Sequence, residues 1–448
     1  MVLLLSGCAA MRSYDAELYT TLDRASSGSV DGAIQLLESN NRLADKDLLY
    51  YLELGMLQRL GGRYAESQKA WTAANARIQA ATEGGLAQMS NMMRGMSSYV
   101  INDKLRAYSG HDYEKVMLLT YMALNHLAMG DYDSARVAIK QAHELEAQIA
   151  ELHARQYAEV EESARQRGAH TSFKELNGYP VETLDTPEVN ALRNAYQSAL
   201  SHYLAGFIYE ALGEPSLAAP GYRLANELQP GQPLLEEALR GLDQRVAAPD
   251  DGMTDVLVII GTGSAPALQS RQFALPVVIN NKLLFLSNAF PVMTTTSWEP
   301  LPTQVTLEER VLPATRIASV DLMARRRLKD DMPGIMLRAT IRSTVSATLQ
   351  YQAQRAGDRE GTLALALAAG IVAVGSVALA SADDRTWRAL PSDVSIARGR
   401  LPRGTRTITL HTPQGARSAA VSLSGRYAVV DLRLLRHQLF VNVPREAR

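Results

Sequence analysis

The sequence predicts an α+β multidomain protein in which N-terminal helical repeats precede a β-rich C-terminal region that ends in a small β-sandwich. Amphipathic segments with regularly spaced small residues occupy residues 13–248. Short apolar runs separated by turn residues follow from residue 253, after a Pro-Asp-Asp-Gly linker at 249–252. The 448 residues are 46% apolar, which is typical of a globular chain with two or three domains.

The first ten residues, MVLLLSGCAA, predict an export and lipidation site. The only cysteine, Cys8, follows Leu5-Ser6-Gly7 and resembles the bacterial lipobox, whose cysteine is acylated and becomes the N-terminus. We therefore expect residues 1–8 to be a truncated lipoprotein signal, and Ala9 implies sorting to the outer membrane, facing the periplasm. Two or three acyl chains, at about 0.8 kcal/mol per buried methylene, anchor a protein permanently. The alternative is a buried free cysteine.

This sequence lacks the motifs that mark common catalytic and metal-binding functions. A single cysteine excludes an internal disulfide framework and a cysteine-rich metal site, and the eight histidines form no metal-ligand pair at short helical spacing. Nucleophile elbows and phosphate-binding loops do not occur. We therefore predict no catalytic residue, no metal, no cofactor and no enzymatic activity. A net charge of −1 argues against nucleic acid as a partner.

Three segments share a spacing in which a small residue is followed by small or large apolar residues 12, 16 and 19 positions later. These sets are Gly55, Ser67, Trp71 and Ala74; Ala123, Ala135, Ile139 and Ala142; and Gly206, Ala218, Tyr222 and Ala225. A glycine follows each small residue by seven positions. This is the tetratricopeptide (TPR) pattern, because small residues let two antiparallel helices cross closely. A generic helical bundle is the alternative.

The remaining helical half is less regular. Residues 13–41 predict a capping helix pair, residues 133–167 a long charged helix, and residues 177–187 a loop. A degenerate repeat is expected around residues 87–108. It carries a methionine stripe that is either core or an adaptable peptide-binding face: Met89, Met92, Met93 and Met96.

A groove for a partner is the functional prediction for these repeats. Repeat arrays commonly present their first helices to an extended peptide or a helix. The repeat register places Arg59, Tyr203 and Phe207 at groove-facing positions, so we predict that they bind an envelope protein partner. Ordinary packing is the alternative role of these side chains.

The C-terminal half predicts strands. Apolar runs at 256–260, 275–279, 283–286 and 303–307 indicate a β-rich domain over residues 253–360, within which residues 334–348 fit either a strand or a helix. Five further strand-like runs predict the sandwich over residues 387–448: 394–397, 406–411, 419–422, 427–432 and 438–443.

Residues 361–382 carry no charge across 22 positions. A helix of that length would span a bilayer core of about 30 Å. Because the segment is rich in alanine and glycine and is bracketed by charges, we favour a buried helix or helix pair over membrane insertion.

The charge of the chain is unevenly distributed. Residues 1–250 hold 32 acidic and 22 basic side chains, whereas residues 251–448 hold 15 and 24. We expect the two halves to dock on each other, since opposite charges on one chain act at high effective concentration. One half facing an acidic partner is the alternative. The densest basic cluster, Arg325-Arg326-Arg327 with Lys329, fits phosphate, anionic lipid, an acidic protein or a solvated turn.

Two strings give the chain a family resemblance: NDKLRAYSGHDYEKVMLLTYMALNHLAMGDYDSAR at 102–136 and ADDRTWRALPSDVSIARGRLPRGTRTITL at 382–410. With the lipobox and repeats, the chain resembles a poorly characterised family of proteobacterial TPR lipoproteins. The resemblance implies an envelope location, near lipoproteins that include activators of peptidoglycan synthases, but no activity. It favours a scaffold or adaptor in envelope biogenesis. The alternatives are a self-assembling or membrane-inserting component that uses residues 361–382, in which case a homo-oligomer is expected, and an envelope hydrolase.

Overall fold

The computed structural model describes residues 14–43, 45–92, 107–279, 282–294, 301–356, 381–413 and 415–443. The predicted order of helical repeats and then a β-rich region is confirmed. The helices before the linker are α1 Tyr14–Ser26, α2 Val30–Asn40, α3 Leu48–Leu60, α4 Tyr64–Met92, α5 Asp112–Ala128, α6 Tyr132–Arg167, α7 Pro187–Ala191, α8 Ala199–Ala211, α9 Pro215–Leu228, α10 Pro233–Leu239 and α11 Leu242–Ala247.

The three repeat segments form the helix pairs α3–α4, α5–α6 and α8–α9. Their spacing has a steric cause. A Cβ atom on Gly55 would lie 2.2 Å from the indole nitrogen of Trp71, sixteen residues later, and one on Gly206 would lie 2.5 Å from the ring of Tyr222. Each large side chain therefore fills the space that glycine leaves at the helix crossing.

The turn glycines have a backbone role. Gly62, Gly130 and Gly213 have φ values of +68°, +79° and +77°, a left-handed conformation that costs glycine little and other residues more. These positions end the first helix of each pair, so the second helix can fold back after a short turn.

The irregular parts of the helical half follow the prediction in outline. Helices α1 and α2 form the capping pair, and α6 is the long charged helix. Two 3₁₀ turns, Phe173–Glu175 and Val181–Thr183, lead to α7. Helix α4 covers residues 87–92 of the segment in which a degenerate repeat is expected, and that repeat stays a prediction. Residues 93–106, with Met93 and Met96, and the side chains of Met89 and Met92 lie outside the described residues, so the methionine stripe stays a prediction.

Within its described residues, the C-terminal half forms three sheets and one further helix. The strands are β1 Met253–Thr262, β2 Leu268–Ile279, β3 Lys282–Met293, β4 Gln304–Leu307, β5 Arg310–Pro313, β6 Thr315–Ser319, β7 Asp393–Pro402, β8 Gly404–Thr412, β9 Gly415–Leu423, β10 Tyr427–Leu435 and β11 Gln438–Asn442. The strand orders are β11-β10-β1-β7-β6, β5-β4-β8-β9, and the hairpin β2-β3.

Strand β1 joins the two halves of the protein because both of its faces are buried. Val256, Val258 and Ile260 point into a core shared with the β5-β4-β8-β9 sheet, which forms a sandwich. The alternate residues Leu257 and Ile259 belong to the core that includes the helical repeats. The two-residue period of the strand thus places the sheet between the second sheet and the helices.

Both sheets cross the predicted boundary between residues 253–360 and 387–448. Strand β1 pairs parallel with β10 and antiparallel with β7, while β4 pairs antiparallel with β8. The later segment alone would leave β7 and β10 without the strand that lies between them. The sandwich therefore draws its strands from both segments.

Residues 334–348 are helical, within α12 Val320–Ala356. This helix contacts both strands of the β2–β3 hairpin. Residues 361–380 of the apolar segment lie outside the described residues, so the choice between a buried and an inserted helix stays open. Among the described helices, none is both long and apolar enough to cross a bilayer.

Candidate functional site: the groove side of the helical repeats

The first helices of the repeats, α3, α5 and α8, place polar and aromatic side chains against the C-terminal half of the chain. We call this surface the first-helix face. All three predicted binding residues lie on it, and Arg59, Tyr203 and Phe207 are each at most 1% exposed. Arg59 and Phe207 contact β10 of the same chain, and Arg398 on β7 lies over the Phe207 ring, so these groove-side positions are covered by strands.

Arg59 links two repeats to the centre of the large sheet. Its Nη2 atom lies 2.6 Å from Asp431 Oδ2 on β10, and its Nη1 donates to Asn125 Oδ1 on α5 at 2.6 Å. Asn125 in turn donates to Ser67 Oγ on α4 at 2.9 Å. Both charged side chains are almost fully buried. This burial depends on the packing of the sheet against the helices, so the ion pair is part of the interface between the two halves.

A second ion-pair network joins β7 to the third repeat. Arg398 contacts Asp255 on β1 at 2.7 Å and Glu210 on α8 at 2.8 Å. Glu210 also pairs with Arg245 and accepts a hydrogen bond from Tyr222. Burial opposes ionisation, but the two guanidinium groups hold the pKa of Glu210 below its ordinary value. Glu210 is therefore a buried, fully partnered carboxylate.

Aromatic side chains fill the space between the ion pairs. The ring of Phe207 meets that of Tyr427, at the start of β10, edge-on at 5.7 Å, and the Arg398 guanidinium lies 5.1 Å from the Phe207 ring centroid. Tyr203 packs against Tyr222 with ring centroids 5.1 Å apart. These contacts give the third repeat a packed interface rather than an open groove.

The segment between α12 and β7 is bound to the first-helix face through its backbone. Glu53 on α3 accepts hydrogen bonds from the N–H groups of Arg388, at 2.6 Å, and Ala389, at 3.1 Å. Glu114 on α5 accepts one from the N–H of Trp387, at 2.7 Å. Recognition of backbone N–H groups by side chains is what an extended peptide requires. The ligand of this groove is residues 385–390 of the same chain, which we call the cis segment.

Burial controls the protonation of these groups. It raises the pKa of Glu53 to about 8. The peptide N–H groups and Arg388 favour the carboxylate and lower this pKa, but by less than burial raises it. Burial also raises the pKa of Glu114. It lowers the pKa of His111 well below its ordinary value, so the ring is neutral and its Nε2–H donates to the Arg385 carbonyl at 3.0 Å.

Trp387 is the side-chain anchor of the cis segment. It is fully buried, and its ring meets that of Trp71 at 6.0 Å in an edge-on arrangement. Trp71 is the residue that covers Gly55, so the cis segment packs directly on the crossing point of the first repeat.

The predicted docking of the oppositely charged halves is confirmed. Beyond the buried pairs, Arg436 near the end of β10 contacts Asp23 on α1, and the Tyr132 hydroxyl donates to the Tyr427 carbonyl at 3.0 Å. One continuous apolar core includes side chains from both halves.

The repeat register predicts Arg59 as a site residue but indicates none of its partners. Glu210 lies four residues after Gly206, as Arg59 lies four residues after Gly55, so the same register would have selected it. Glu53 and Glu114 carry no such signal, because their roles depend on a segment more than 270 residues away.

The basic cluster is held by internal ion pairs on α12. Three arginines each pair with an aspartate four residues away, at 2.7 to 2.9 Å: Arg325–Asp321, Arg326–Asp330 and Arg327–Asp331. Lys329 pairs with Asp185 at 2.6 Å. The cluster is therefore part of a packed helix and not a solvated turn.

The predicted lipidation site and the possibility of a metal site remain. Cys8 lies outside the described residues, so its lipidation stays a prediction. Within the described ranges, no group of three or more His, Cys, Asp or Glu side chains is placed to hold a metal ion.

Comparison with known proteins adds little. No family model matches the chain, and no curated protein matches it. One solved structure, a tetratricopeptide repeat protein from Parabacteroides merdae ATCC 43184, is 16% identical over 52% of this chain and 98% of that one, with a TM-score of 0.13. This score is too low to carry an argument, so the TPR assignment rests on the helix pairs and their spacing.

Proposed function

We propose that this protein is a non-enzymatic scaffold of the bacterial envelope, held in the outer membrane by an acylated Cys8 and facing the periplasm. In this proposal the repeats bind the chain's own β-rich half and fix it in one orientation. The composite surface then serves as the adaptor for a protein partner in envelope biogenesis.

The observation that carries the proposal is the occupied first-helix face. Helical repeats are interaction modules, and here the module holds a backbone segment and a sheet through buried, specific contacts. A partner must therefore bind outside Arg59, Tyr203 and Phe207. Exposed apolar side chains on other faces, such as Tyr157 on α6 and Leu217 on α9, are 41% and 52% exposed and are open to contact.

Site-specific photo-crosslinking in cells tests this arrangement. A photoreactive residue at position 157 or 217 is expected to capture one defined envelope protein, and the same residue at position 207 is expected to capture only the chain itself. Capture of that partner from position 207 would show an open groove and contradict the proposal. Capture of further copies of this chain alone would support the structural-assembly alternative instead.

Lipidation has a separate test. Labelled palmitate should enter the full-length protein when it is made with an intact signal, and Cys8→Ala should abolish the label. A labelled Cys8→Ala variant, or an unlabelled wild type, would remove the membrane anchor from the proposal. Purified protein should not hydrolyse peptidoglycan or phospholipid.

A further inference from the structure

A cavity of about 190 Å³ lies between the start of α5, the base of the β2–β3 hairpin and the middle of α12. At roughly 30 Å³ per water, it holds about six water molecules or one small organic ion. Apart from its charged groups, its wall includes the apolar side chains of Leu268, Pro291, Leu328 and Ile335.

Five charged side chains of the described residues line this cavity. Three are the arginines Arg327, Arg338 and Arg385, and two are the carboxylates Asp331 and Asp383. His111, which also lines the cavity, is neutral for the reason given above.

Each aspartate is engaged by one arginine. Asp383 receives Nε and Nη2 of Arg385, both at 2.7 Å, and the Arg385 guanidinium also lies 5.2 Å from the Tyr108 ring centroid. Asp331 Oδ2 lies 2.7 Å from Nε of Arg327. Among the residues that the structure describes, the two terminal nitrogens of Arg327 have no hydrogen-bond acceptor.

An arginine whose terminal nitrogens lack acceptors, in a partly enclosed cavity, is the arrangement that binds oxyanions. The planar guanidinium fork matches the two oxygens of a carboxylate or phosphate, and such charge-assisted bonds are stronger than neutral ones. The apolar part of the wall suits a small apolar group attached to the anion.

We propose that this cavity is a binding site for a small oxyanion, a carboxylate or a phosphate attached to a compact apolar group, with Arg327 as the main contact. Arg338 and Arg385 also line the site. The site adjoins the start of the cis segment at Arg385 and needs no partner protein.

Titration calorimetry on the full chain at low salt tests the site with two probes, inorganic phosphate and N-acetylalanine. At least one probe should bind the wild type saturably, and the tighter one identifies the anion as phosphate or carboxylate. Arg327→Gln should weaken that binding at least about tenfold, because a hydrogen bond to a charged group contributes roughly 1.5–3 kcal/mol.

Two variants separate binding from folding. Arg326→Gln is the matched control: it removes an equivalent i,i+4 pair from the adjacent position, and Arg326 does not line the cavity. It should leave the affinity unchanged. Asp331→Asn removes a competing carboxylate and should tighten binding, which a merely structural role would not do. Absence of saturable binding by both probes, or equal losses in Arg326→Gln and Arg327→Gln, would overturn the proposal.

Discussion

Breaking the Arg59–Asp431 pair should destabilise the whole protein, because this pair joins the repeats to the sheet. In Arg59→Met, the side-chain contact left to Asp431 among the described residues is a long one from Asn442 Nδ2 at 3.4 Å, so the buried carboxylate loses the guanidinium that balances it. Removal of one partner from a buried pair costs about 3–5 kcal/mol. Part of this cost is the lost hydrogen bond to Asn125.

The assay is the free energy of unfolding from urea titration at pH 7, for both single variants and the double variant Arg59→Met/Asp431→Leu. The double variant leaves neither charge buried and should recover part of the loss, giving a coupling energy of at least about 1 kcal/mol. Arg63→Met is the control: Arg63 lies 2.8 Å from Asp31, but both side chains are exposed, so the loss should stay below about 1 kcal/mol. Equal small losses at positions 59 and 63 would refute the reasoning, since the two halves would then not bury the pair.

Three further predictions follow from the same interface. Burial raises the pKa of Glu53 to about 8, so the folded state keeps a proton that the unfolded state releases near pH 4.5. The free energy of unfolding should therefore fall by up to about 5 kcal/mol as the pH rises from 4.5 to 8. Glu53→Gln should flatten this part of the pH profile, and parallel profiles of the wild type and the variant would contradict the prediction. Gly206→Ala, whose new Cβ would lie 2.5 Å from the Tyr222 ring, should cost about 1–3 kcal/mol by overpacking, and thermal unfolding that matches the wild type would show that the helix crossing is looser than described. Trp387→Ala should cost about 3–5 kcal/mol in the same urea titration, because the side chain is fully buried; a loss below about 1 kcal/mol would mean that Trp387 is not an anchor.

The parts of the fold that sequence predicts are those with local physical causes. The contact of Gly55 with Trp71 joins residues only sixteen positions apart, and each turn glycine determines the backbone conformation at its own position. The repeats can therefore be predicted from the sequence alone. The apolar run at 256–260 likewise predicts a strand, and it lies within the buried strand β1.

The parts that sequence misses depend on pairing between distant segments. Nothing local to β1 indicates that Asp255 aligns with Tyr427 in a parallel ladder, so the sequence predicts a domain boundary between strands that in fact pair. Likewise, the register that selects Arg59 is local, whereas its acceptor Asp431 lies 372 residues away. The sequence therefore identifies the interaction face but not its occupant.

The central claim, that the chain's own segment occupies the first-helix face, is tested most directly by hydrogen exchange of the full-length protein. The amides of Trp387, Arg388 and Ala389 donate to buried glutamates, so they should exchange only with global unfolding, at the rate of the β1 core amides. Exchange of these three amides within seconds, while β1 stays protected, would show that the segment leaves the groove and would contradict the account.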